Sequence, residues 1–571
     1  MSKKLFWMII SLLSMVSVGT GLYGQQDFNP YHYSVNKKIE CSHGAVVSAH
    51  PLASQVGVSI LKKGGNAVDA AIATQLALAV VYPGAGNLGG GGFMVASLSN
   101  GKNIAIDFRE KAPLAASRDM YLDAHGNAQT NLSQDGHLAS GVPGTVAGIF
   151  AEFKYARLPF GELIQPAIDL AEKGFAITES EAKDLNETQT EFKKYNTVMP
   201  VFVKETPWKA GDTLIQKDLA KTLRLIRDSG AKGFYEGETA RLIVEEMRRG
   251  KGIISYDDLK NYTAKEREPV VFNYKKDYSI ITMPLPSSGG VLLPQMMKMI
   301  ENQPLKTYGF ESVKAVHLMT EVERLAYADR AKYLGDNDFY KVPVKTLTSD
   351  AYISKRMKLF NPDKAGNSDD IQAGVISPES EETTHFNTYD ADGNAVAITT
   401  TLNGGYGSRT VAAGTGFLLN NEMDDFSIKP GVPNMYGALG TEANAIYPGK
   451  RMLSSMTPTI VLKNKRPYLI VGTPGGTTIT TSVFQTIVNI LEFDMSTEDA
   501  INKPKFHHQW KPDVLNVEKD FPQNIRTELQ KMGYSIRQRG SIGRTEVIKI
   551  LSNGKIEAVG DKRGEDTAAG Y

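Results

Sequence analysis

Thr383 stands at the boundary between a polar, unpatterned segment, Ser377 to Glu382, and a run rich in threonine, aromatic and β-branched residues. A threonine hydroxyl is a weak nucleophile until a base takes its proton. Cutting the chain immediately before the threonine supplies such a base, because it frees an α-amine with a pKa of about 7.7 to 8 beside the hydroxyl. Beyond Thr383 the pattern predicts a β-hairpin that turns at Asp390-Ala391-Asp392-Gly393 and runs on to Thr401, Leu402 and Asn403. Taken alone, Thr401 and Asn403 fit the edge of a hairpin as plain polar residues.

Other residues offer chemistry of different kinds. In Asn420 to Phe426 the acids Glu422, Asp424 and Asp425 read either as a metal cluster or as a solvated turn, but the alternating ligands and glycine turn of a calcium loop are absent. Arg109, at the charged tip of a strand beginning near Asn103, is a solvated or paired cation on local grounds. Ser454 and Ser455 form an adjacent pair of hydroxyls. Gly475 and Gly476, in Gly472-Thr473-Pro474-Gly475-Gly476, read on local grounds as a Pro-Gly turn closing a strand. His507 and His508 beside Trp510 lack a third ligand at any evident spacing, which favours packing over metal binding. The run Gly84-Ala85-Gly86-Asn87-Leu88-Gly89 matches a dinucleotide fingerprint in form only. That fingerprint needs a strand before and a helix after, whereas here the order is reversed, so tight backbone packing is the preferred reading. No P-loop is present.

Thr383-Thr384-His385, then Thr401-Leu402-Asn403, Asn420-Asn421-Glu422-Met423-Asp424-Asp425-Phe426 and Arg451-Met452-Leu453-Ser454-Ser455-Met456 together resemble γ-glutamyltransferase, a family of N-terminal-nucleophile hydrolases. The resemblance runs from about Gly44 to Tyr571. It implies an α+β fold, a four-layer αββα sandwich formed jointly by two autoprocessed subunits. Cleavage between Glu382 and Thr383 would then make Thr383 the nucleophile. By the same resemblance Thr401 hydrogen-bonds that nucleophile, and Gly475 and Gly476 form the oxyanion hole. Arg109, Ser454 and Ser455 hold the substrate α-carboxylate, and Asn403, Glu422 and Asp425 hold its amino group. Some relatives carry glutamine where Glu422 stands. Lys429 to Gly437 resembles the family's lid, with Tyr436 in the gate position. The expected partners are glutathione and other γ-glutamyl compounds, with water, amino acids or dipeptides as acceptors, and no metal or organic cofactor. The nearest rival is a β-lactam side-chain acylase of the same superfamily. A dinucleotide-dependent oxidoreductase and a non-catalytic exported binding protein are more distant alternatives.

The elements that must position these residues are partly legible. Pro51 to Val81 reads as two helices broken at Gly64-Gly65, the second apolar on most faces. Gly144 to about Leu359 reads as mostly helical, with charges such as Glu245, Glu246, Arg248 and Arg249 on solvated faces. Asn361 to Glu382 reads as exposed and flexible. Strands at Thr459 to Leu462 and Tyr468 to Val471 precede a helix over Thr478 to Leu491, and the tail ends in a hairpin through Asn553-Gly554. With 571 residues, 41% of them apolar, and a formal net charge of +1, the chain is long enough for a large layered unit and has no basic block for nucleic acid. Residues 1–24 carry Lys3, Lys4, the apolar run Leu5 to Val18 and small residues at Gly19, Gly21 and Gly24. That pattern predicts a secretory signal rather than a lasting membrane span, and hence a periplasmic or secreted protein. Processing would leave a large subunit, 25–382, and a small catalytic one, 383–571. Cys41 is the sole cysteine, so no internal disulfide is possible.

Overall fold

The computed structural model describes residues 28–371 and 383–571; the signal segment and Glu382 lie outside them. The hairpin forms as its pattern predicts, Thr384–Tyr389 pairing antiparallel with Ala395–Thr401 and Thr384 lying opposite Thr400. Both strands are buried on both faces. A strand sends successive side chains to opposite sides, so such strands need a covering layer on each. Val396 and Ile398 enter a core shared with helices, while Ala395 and Ala397 enter one shared with a second sheet.

The first sheet has seven strands in the spatial order Thr567–Gly570, Ala45–Ser48, Thr384–Tyr389, Ala395–Thr401, Gly91–Ser97, Asn103–Asp107 and Lys265–Arg267. The second, also of seven, runs Lys38–Cys41, Ile556–Val559, Glu546–Ile550, Arg466–Gly472, Thr459–Lys463, Tyr278–Thr282 and Val270–Tyr274. Helices Pro51–Lys62 and Ala67–Val81 pack on the first sheet, with Phe160–Lys173 against Ala67–Val81, and Gly289–Ile300 and Thr478–Leu491 pack on the second, with Val313–Tyr333 against Gly289–Ile300. The result is helix, sheet, sheet, helix. Each sheet takes strands from both sides of residue 383, so neither side of that point has a complete core of its own. Among the described residues no helix is long and apolar enough to cross a membrane.

The glycine-rich run is a packing device. A Cβ on Gly86 would lie 2.1 Å from the Leu78 carbonyl oxygen, and one on Gly90 would lie 2.0 Å from that of Thr401. Backbone passes backbone there with no room for a methyl group. Gly90→Ala is therefore expected to cost about 3 kcal/mol through overpacking, read as a lower urea midpoint at unchanged slope.

Several expectations are corrected. The mostly helical stretch contains a hairpin, Val270–Tyr274 with Tyr278–Thr282, that edges the second sheet. The tail does not end at its hairpin, because Thr567–Gly570 returns to pair with Ala45–Ser48. Glu246 is not on a solvated face: it is fully buried, where hydrogen bonds from His137, Arg249 and Thr197 outweigh burial and hold its carboxyl at about 2. Residues 361–371 are mostly exposed, as expected, but Ser368 and Ile371 are buried: the Trp510 indole donates to their carbonyls and Asp513 accepts from the Ser368 N–H. Local composition reports polarity, and partners from distant segments made these groups part of the interior.

Candidate active site

Thr383 immediately precedes the strand Thr384–Tyr389, and its position is fixed by the pairing of that strand on both edges. It opens onto one cavity that Thr401, Asn403, Tyr436 and Gly476 line as well, together with Arg109, Glu422, Asp425, Ser454 and Ser455. These residues come from segments up to several hundred positions apart. Asn403 adopts a left-handed backbone, φ 76°, and its N–H donates to Thr401 Oγ1 at 2.7 Å while its side-chain amide donates to the Asn421 carbonyl at 3.0 Å.

On one side of Thr383 the strand Arg466–Gly472 runs out into Gly475 and Gly476, with φ of 135° and 51°, directly before the helix Thr478–Leu491. Gly475 is not itself among the lining residues, but it sits beside Gly476 at that helix N-terminus. Backbone N–H groups there carry partial positive charge suited to an oxyanion. Gly476 is held to glycine twice over, by its backbone and because a Cβ would lie 2.6 Å from the Tyr436 ring. The Tyr436 hydroxyl in turn donates to the Asn403 carbonyl, closing this side of the cavity.

The same cavity is lined by a buried charge cluster. The Arg109 guanidinium, fully buried, pairs with Glu422 at 2.5 Å and Asp425 at 2.5 Å, and Glu110 lies 3.5 Å away. Burial pushes the Glu422 carboxyl well above the usual range and Asp425 upward, while Arg109 pulls both back; Glu110 is pushed up to about 8 by the same burial. Arg109 is thus engaged by the very acids expected to hold an ammonium group. A bound amino acid would replace this internal pairing, its carboxylate taking the guanidinium and its ammonium the two acids.

The segment Lys429 to Gly437 contributes Asn434 and Tyr436 to the lining and is held by hydrogen bonds. Asp424 accepts from the Met435 N–H at 2.6 Å and from Ser133 at 2.5 Å, and Asn434 donates to Asp425 at 2.9 Å. Burial raises the Asp424 carboxyl to about 6. Asp424→Asn puts a donor where an acceptor is needed, so amide exchange across residues 431–437 is expected to quicken by at least about tenfold, measured by hydrogen exchange of the intact protein.

Five lining residues were given no role from the sequence: Arg330, Asn434, Met456, Thr477 and Ile479. Arg330 belongs to the helix Val313–Tyr333, where spacing alone gives no sign of a buried cation. The histidines are packed as expected. His507 bonds Thr481 and Gln509, each at 2.9 Å, His508 bonds Asp513 at 3.2 Å, and burial lowers the two to about 3 and 4. Among the described residues no group of three or more His, Cys, Asp or Glu is placed to hold a metal.

Residues 53–571 match the family model described as Gamma-glutamyltranspeptidase. The chain is similar to the glutathione hydrolase proenzyme of Escherichia coli (strain K12), 46% identical over 551 residues and 95% of each chain. Among solved structures it resembles the gamma-glutamyltranspeptidase of Helicobacter pylori, with 49% identity and a TM-score of 0.56 over 57% of this chain and 94% of that one. It also resembles the cephalosporin acylase of Bacillus halodurans, with 26% identity and a TM-score of 0.81 over 96% of this chain and 99% of that one. A match that spans nearly the whole sequence, on a fold with a threonine at the head of a central strand, means that the chain belongs to the gamma-glutamyltranspeptidase family of N-terminal-nucleophile hydrolases.

Proposed function

We propose that the protein is an exported γ-glutamyltransferase and glutathione hydrolase, made as one precursor that cuts itself between Glu382 and Thr383. The Thr383 hydroxyl attacks the Glu382 carbonyl carbon, the peptide bond becomes an ester, and water hydrolyses it to a Glu382 carboxylate and a free Thr383 α-amine. In the mature heterodimer, 25–382 with 383–571, that amine takes the hydroxyl proton as Thr383 attacks the γ-carbonyl of glutathione. Gly475 and Gly476 stabilise the tetrahedral anion, and the proton passes to the departing amine of the thiol-bearing dipeptide. Water or an acceptor amine then releases the γ-glutamyl group from the ester. Thr401 orients the nucleophile.

The observation that carries this reading is a single cavity lined both by a candidate nucleophile and by groups of both signs of charge. Arg109, Ser454 and Ser455 suit an α-carboxylate; Glu422, Asp425 and Asn403 suit an α-ammonium. A proenzyme relative of near-equal length, and a solved relative's chain that accounts for only 57% of this one, support the two-chain form. Absence of a long apolar helix among the described residues is compatible with export of a protein that keeps no helical span.

The acylase likeness supports a second reading, side-chain removal from a β-lactam. A glutaryl chain lacks the α-ammonium, so it would leave Glu422 and Asp425 buried beside the substrate without a cationic partner from it. Hydrolysis of γ-glutamyl-p-nitroanilide and of a glutaryl-β-lactam by the purified two-chain protein decides between them. Preference for the glutaryl compound would overturn the proposal, as would active protein whose intact mass is that of one chain.

A further inference from the structure

Arg330 is a second guanidinium in the cavity, and its hydrogen bonds suggest a task. A serine hydroxyl has one proton to donate, and which way it points depends on what donates to its oxygen. Ser454 Oγ accepts from the Met456 N–H at 3.2 Å. Ser455 Oγ accepts from Arg330 Nη2 at 3.1 Å, while Arg330 Nε donates to Ser288 Oγ at 3.3 Å. Each of the two serines therefore has its oxygen occupied by a donor of the protein and its proton left to donate elsewhere. Arg330 also stands close enough to Asp425 to oppose, after Arg109, the effect of burial on that carboxyl.

We infer that Arg330 is a positioning residue for recognition of the substrate α-carboxylate: its fork, seated on Ser288 and Ser455, turns the Ser455 proton into the cavity and adds positive charge behind it. The geometry explains why an arginine stands there. A lysine has one nitrogen and cannot hold Ser288 and Ser455 from two points of a rigid plane. The inference rests on the proposal that the cavity takes a γ-glutamyl group.

The test uses the full chain with Arg330→Met and Arg330→Lys, each checked first for conversion to two chains by intact mass. Two anilides are compared, γ-glutamyl-p-nitroanilide and 4-aminobutyryl-p-nitroanilide, which differ only in the α-carboxylate. Arg330→Met is expected to raise KM for the γ-glutamyl compound about tenfold or more with kcat nearly unchanged. The 4-aminobutyryl compound has no α-carboxylate, so its KM should change by less than about threefold, and the preference between the two narrows by most of the tenfold. Arg330→Lys should recover part of the loss. In a Ser455→Ala background Arg330→Met should add little, since both act through one hydroxyl. An equal fall with both anilides, or full additivity with Ser455→Ala, would overturn the inference. If Arg330→Met does not process, the comparison is made with Arg330→Lys, for which the same two outcomes decide. Failure of the unmodified protein to prefer the γ-glutamyl anilide would instead refute the proposed function, and is seen before any variant is read.

Discussion

Thr383→Ala is expected to yield a protein that remains one chain and has no measurable γ-glutamyl hydrolase activity, a loss on the order of 10⁵-fold or more. The same hydroxyl serves twice in the proposed scheme, first against the peptide carbonyl of Glu382 and then against the γ-carbonyl of the donor. Removing it stops both. The fold should survive, because the strand that follows is held by pairing along Thr384 to Tyr389 and along Phe386 to Tyr389 on its other edge, with no dependence on the Thr383 side chain. Thr383→Ser keeps a hydroxyl and should still cleave, so it separates loss of the nucleophile from disturbance of the site. A two-band pattern on a denaturing gel from the alanine variant would remove the basis of the mechanism.

Arg109→Met is expected to damage both stability and recognition. Arg109 is the cation among Glu110, Glu422 and Asp425, all close to it and, with Glu110 and Glu422, fully buried. Removing one partner of a buried ion pair costs on the order of 3 kcal/mol, and the carboxyls here can limit the loss by taking up protons. The direction with pH follows. These carboxyls already titrate above their ordinary values, and without the guanidinium, which pulls them down, they rise further. A carboxyl whose pKa is raised by folding favours the folded state most below its unfolded pKa, and the advantage is lost as pH rises. The stability deficit of Arg109→Met should therefore shrink towards acid pH, a trend that urea titrations at a series of pH values would reveal or refute. For the γ-glutamyl anilide kcat/KM should fall by about 10²- to 10³-fold, because a bidentate charged partner for the α-carboxylate is gone. An unchanged KM would mean that Arg109 serves only to neutralise its acidic neighbours.

Local sequence decided a good deal of this protein by itself. The hairpin Thr384 to Thr401, the helices Pro51–Lys62 and Ala67–Val81, the strand pair that starts at Thr459 and the helix Thr478–Leu491 all follow from short-range patterns of apolar, β-branched and breaker residues. The motifs around Thr383, Glu422, Ser454 and Gly475 were visible for the same reason, each being contiguous. Tertiary structure alone decided what covers each face. It buried Glu246 among His137, Thr197 and Arg249, docked Ser368 and Ile371 on Trp510, and drew the hairpin Val270 to Thr282 into the second sheet. It also brought Arg109 against Asp425 across 316 positions and set Arg330 behind Ser455 across 125. Spacing along a chain tells which side a residue faces, but the free energy of a buried charge depends on partners that arrive only when distant segments close around it.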